Sequence, residues 1–88
     1  MARFQILFWQ DVPSVIKAFA EDGSEVKRQL GQWFQQEIDR RAMQQGLVGS
    51  DAYLEEWHWG DQEERPGTTE EVLDAVEQEL EAQHGRPA

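Results

Sequence analysis

The 88-residue sequence predicts an α+β domain, a three-stranded antiparallel meander followed by two or three helices packed on one of its faces, in the order β-β-β-α-α-α. Three observations predict it. Phe4, Ile6 and Phe8 alternate with Gln5, Leu7 and Trp9, the two-residue period of a strand. Asp22-Gly23 lies between two further alternating segments and suits a tight hairpin turn. From Leu30 onward the period changes, and Leu30, Phe34, Ile38 and Ala42 recur every four residues, as on one side of a helix.

The first strand spans Arg3 to Trp9, and its apolar character at almost every position predicts cover on both faces. Gln10-Asp11-Val12-Pro13 interrupts it, because proline has no N–H for a ladder and biases Val12 toward an extended conformation; a bend is expected there. Val15 to Glu21 forms the second strand. Asp22-Gly23 is expected to close the hairpin as a type I′ turn, in which both central residues have positive φ. Glu25 to Leu30 is the return strand, with Val26 and Leu30 alternating with charge.

The first helix begins near Gly31, with Trp33 and Met43 expected to widen its apolar stripe. Gly46 supplies the left-handed position that ends many helices, and Leu47 is placed to fold back on the last turn. The last helix runs from about Thr69 to Gln83. Thr68-Thr69-Glu70-Glu71 matches a capping box ahead of Val72, Leu73, Val76 and Leu80. Between them, Ser50 to Asp61 fits two patterns. On a strand, Trp57 and Trp59 share a face with His58 opposite. On a helix capped by Ser50, Tyr53, Leu54 and Trp57 form the apolar side; helix is favoured for Asp51 to Trp57 because Ala52, Leu54, Glu55 and Glu56 are good helix formers.

Composition narrows the function. Residues 1–85 are expected to form one domain, with a frayed tail at 86–88. There is no cysteine, which removes thiolate chemistry, disulfides and cysteine metal sites. The longest apolar run, Ile6 to Trp9, is far short of a membrane span, and Met1-Ala2-Arg3 leads into a strand pattern rather than a signal peptide, so a soluble, cytoplasmic protein without a membrane partner is expected. The net charge of −10 falls entirely after Ser50, where 12 acids meet only Arg65 and Arg86. That balance repels phosphate backbones, so no nucleic acid is expected, and a basic protein partner fits better.

One stretch gathers unusual chemistry: Trp57, His58 and Trp59, followed by Asp61, Glu63 and Glu64. These six residues are the first-choice partner-binding surface, and Trp9, Asp11 and Trp33 the second. A metal site is not expected, because His58 has no second His or Cys nearby. Catalysis is not expected either. Glycine-rich phosphate loops and nucleophile elbows are absent, Ser14, Ser24 and Ser50 fall at turns or caps, and His84 is placed to complement the end of the last helix. No cofactor is assigned.

Three blocks carry a resemblance: Phe8-Trp9-Gln10-Asp11-Val12-Pro13-Ser14-Val15-Ile16; Phe34-Gln35-Gln36-Glu37-Ile38-Asp39 with Ala42-Met43; and Gly49-Ser50-Asp51-Ala52-Tyr53-Leu54-Glu55-Glu56-Trp57. In this order they resemble the small bacterial family labelled virulence factor, a domain similar to a module of conserved virulence factor C. Members often carry Arg after the Trp of the third block, where this chain has His58. The label implies no reaction. The resemblance also implies a setting near folate- and corrinoid-linked one-carbon enzymes. Three functions follow as expectations: a non-catalytic module binding a protein partner, a small-molecule accessory in which Trp57, His58 and Trp59 stack on a pterin or corrinoid, and a homodimer paired through an exposed edge of the meander.

Overall fold

The computed structural model describes residues 1–84, and the expected frayed tail lies outside them. Its elements run β1 (Ala2–Trp9), β2 (Val12–Phe19), β3 (Glu25–Gln29), α1 (Gln32–Gln44), α2 (Asp51–Glu55), β4 (Trp57–Trp59), β5 (Glu63–Arg65) and α3 (Thr69–Gln83). The fold is α+β with an antiparallel sheet, but the sheet has five strands rather than three, ordered β3-β2-β1-β4 with β5 also on β1. The two extra strands interrupt the expected helical run after α2. Each is three residues long, and Glu63-Glu64-Arg65 has no local strand preference; both take their conformation from the β1 ladder.

β1 and β2 join through a two-residue turn at Gln10-Asp11, and Gln10 adopts a left-handed φ of 55°. Its N–H donates to the Glu56 carbonyl at 3.1 Å, which ties the turn to the end of α2. The strand resumes at Val12, earlier than expected. Pro13 is tolerated because the register slips beside it: Leu7 faces Val15 and Phe8 faces Pro13, leaving Ser14 as a bulge. The Ser14 carbonyl accepts the Leu30 N–H at 2.9 Å, so the bulge also anchors the end of β3.

The second turn departs from the type I′ expectation. Only Gly23 has positive φ, the Gly23 N–H donates to the Ala20 carbonyl, and the Ala20 N–H donates to the Ser24 carbonyl. The loop is thus three residues long, and the Asp22 carboxylate accepts from both the N–H and the hydroxyl of Ser24.

Helices α1 and α3 cover one sheet face. Phe4, Ile16 and Ala18 meet Phe34 and Ile38 of α1 and Val72, Leu73 and Val76 of α3 in a single core. α1 ends as expected, with the Leu47 N–H on the Ala42 carbonyl and the Gly46 N–H on the Met43 carbonyl. Met43 does not widen the stripe; it is exposed. α3 begins with the expected capping box between Thr68 and Glu71. Two arginines clamp this acidic helix from opposite edges of the sheet. Arg28 on β3 meets Glu70, Asp74 and Glu77, while Arg65 on β5 meets Glu79 and stands over the Phe4 ring. No helix among the described residues is long and apolar enough to cross a membrane.

Candidate interaction surface on the open sheet face

Strand alternation decides where each candidate residue points. β4 pairs with β1 so that Trp57 faces Trp9, His58 faces Phe8 and Trp59 faces Leu7. β5 sets Glu63 opposite Phe4 and Glu64 opposite Arg3. His58 and Glu63 therefore stand on the helix side, with the His58 ring 5.7 Å from Phe8, whereas Trp57, Trp59 and Glu64 stand on the other. Asp61 is exposed in the link between the strands. The six first-choice residues do not form one surface. In particular, His58 and the two indoles do not make a common stacking platform. Among the described residues, no group of three or more His, Cys, Asp or Glu is placed to hold a metal ion.

The two tryptophans of β4 also differ from each other. α2 closes over the end of the sheet, where Tyr53 packs edge-on against Trp57 and 5.6 Å from Trp9. Trp57 is half-buried beneath it. Trp59 lies two residues further along, beyond the reach of this short helix, and 41% of its surface is exposed.

The second-choice residues each have partners within the fold. Trp9 is fully buried, and its indole N–H donates to the Tyr53 carbonyl at 3.0 Å. Asp11 pairs with Arg41. Trp33 is half-buried against Phe34, with His84 5.8 Å away. His84 takes the C-cap of α3, donating its backbone N–H to Leu80 while its ring rests on Phe34.

The face around Trp59 is bare where both sides of the sheet are expected to be covered. Leu7, Val15 and Phe19 are only half-buried there, although their neighbours Ile16 and Ala18 on the helix side are fully buried. Lys17 lies among them, its ammonium 4.5 Å from the Trp59 ring centre and 5.8 Å from that of Phe19. Gly60 keeps β4 tight against β1. Its N–H donates to the Ile6 carbonyl at 2.8 Å, its carbonyl accepts from the Gln5 side chain, and a Cβ at this position would lie 3.0 Å from the Phe8 ring.

Sequence reasoning did not single out Lys17. The signal was present in the alternation of Val15, Lys17 and Phe19, which puts all three on the face opposite Ile16 and Ala18.

Geometry and content define a class: a small antiparallel α+β domain with helices on one sheet face and a half-open, aromatic second face. A family model described as virulence factor matches residues 7–87. The chain belongs to that family. No curated protein and no solved structure matches it.

Proposed function

We propose that this chain is a non-catalytic interaction domain that acts in the cytoplasm and binds a protein partner through the open face of its sheet, with Trp59 as the anchor. One observation carries the reading: an indole with 41% of its surface exposed stands on a bare sheet face beside half-buried Leu7, Val15 and Phe19. Tryptophans of this kind concentrate binding energy at the centre of interfaces. The rigid sheet holds the ring without needing a partner, so little order is lost on binding.

The test is capture from lysate by the immobilised domain, comparing wild type with Trp59→Ala and with Met43→Ala as a control at another exposed apolar position. The reading predicts a protein held by wild type and by Met43→Ala and lost with Trp59→Ala. Equal capture by all three would rule the face out. Quenching of Trp fluorescence by a pterin or corrinoid alone would instead support the small-molecule reading.

A further inference from the structure

The bases of this chain divide by location. Arg28, Arg40, Arg41 and Arg65 each meet one or more carboxylates within ion-pair distance. The other three among the described residues, Arg3, Lys17 and Lys27, make no such pair, and all three lie on the open face. Their positions follow from register: Lys17 pairs across the sheet with Gln5 and Lys27, and Arg3 pairs with Phe19 and Glu64. Among the strand residues of this face the acids are Glu25 and Glu64, opposite Phe19 and Arg3, and the acids of α2 lie at its Trp57 end. Six of the other acids, Asp11, Glu37, Glu70, Asp74, Glu77 and Glu79, pair with the four arginines. The strands beside Trp59 thus present three free bases against two acids, in a chain of net charge −10.

We propose that the open face takes an acidic segment of another protein, with carboxylates flanking an apolar or aromatic anchor. This deepens the reading of the face as an interface and rests on it. The anchor fills the space over Leu7, Val15 and Phe19 beside the Trp59 ring, and the carboxylates meet Lys17, Lys27 and Arg3. Expectation of a basic partner rests on the summed charge, but charges more than about 10 Å apart are largely screened at physiological salt, so the local set governs contact. A second copy fits this face poorly. A symmetric pairing would oppose the same patch to itself and bring its free bases together.

A zero-length carbodiimide cross-linker, which joins amines to carboxylates in contact, tests the inference. The immobilised wild-type domain is loaded from nuclease-treated lysate, cross-linked and read by mass spectrometry, alongside Trp59→Ala and Lys27→Glu. Lys27 is exposed, and circular dichroism checks the fold of each variant. The expected result is a link from Lys17 or Lys27 to an Asp or Glu of the captured protein. Capture should fall about fivefold or more with Lys27→Glu at low salt, and that difference should shrink at about 0.5 M salt. Links from partner lysines to Asp61, Glu63 or Glu64 overturn the acidic-partner inference while leaving the interface reading intact, as does Trp59-dependent capture without any link through Lys17 or Lys27. Links between two copies, with a mass that grows with concentration, overturn it in favour of self-association. Capture that does not depend on Trp59, or no capture, overturns both.

Discussion

Lys17 reaches across β1 to place its ammonium 4.5 Å from the centre of the Trp59 ring, joining β2 to β4 over a strand that separates them. The contact holds the indole against the face and leaves its far side to solvent. Partly exposed cation–π pairs contribute about 0.5–1 kcal/mol. A double-mutant cycle of Lys17→Ala and Trp59→Leu, followed by urea unfolding, should return a coupling energy of about that size. Strict additivity of the two changes would show that the pair does not form in solution.

Trp9 is the keystone of the α2 end of the sheet. It is fully buried, lies 5.6 Å from the Tyr53 ring and donates its indole N–H to the Tyr53 carbonyl. Trp9→Ala should cost about 3–5 kcal/mol, much of what a domain of this size has. Trp9→Phe keeps most of the volume and loses the hydrogen bond, and should cost about 1–3 kcal/mol. Urea midpoints order the two variants, and a Trp9→Phe protein less stable than Trp9→Ala would contradict the packing described.

Glu37 is a buried carboxylate on α1 that accepts hydrogen bonds from Arg40 and then Arg41, and these hold its pKa below the ordinary glutamate value. Because the folded-state pKa is depressed, the stabilisation is present above the unfolded value of about 4.3 and is lost as pH falls through the folded value. Glu79, held down by Arg65, acts in the same direction. The melting temperature should therefore drop as pH falls below about 4.3, and less steeply in Glu37→Gln. Parallel acid limbs for the two proteins would show that Glu37 does not contribute.

Gly60 is required by space rather than by backbone conformation. A Cβ would stand 3.0 Å from Cε2 of Phe8 and 3.5 Å from the Ile6 carbonyl oxygen. Gly60→Ala should force β4 away from β1 and cost about 1–3 kcal/mol. Thermal unfolding measures it, and a Gly60→Ala protein as stable as wild type would contradict the close approach of β4 to β1.

Much of the fold is legible in the sequence where period and capping agree. Phe4, Ile6 and Phe8 mark β1, the four-residue recurrence from Leu30 marks α1, and Thr68 with Glu71 marks the start of α3 to the residue. β5 is not legible, because a three-residue strand of polar residues takes its conformation from a neighbour rather than from propensity. The region after Ser50 contains both patterns in succession, helix for Asp51–Glu55 and strand for Trp57–Trp59, so each of the two fits is right over part of its length. Of the candidate surface, Trp59 is legible as one of the first-choice partner-binding residues. Its setting is not: the basic character of its face depends on β1, β2 and β3 lying side by side, and the summed charge of the chain points the other way. Glu37 escapes notice because one carboxylate among helix-surface polars gives no sign of burial until Arg40 and Arg41 close over it.

Hydroxyl-radical footprinting, read by mass spectrometry on the free domain and on the domain loaded with its captured partner, tests the open face most directly. Trp59 and Met43 both react readily and are exposed by 41% and 72%, on different parts of the molecule. Loss of oxidation at Trp59 on loading, with Met43 unchanged, is the result expected if the open sheet face is the interface. Undiminished oxidation of Trp59 in the loaded domain would place the partner elsewhere and contradict it.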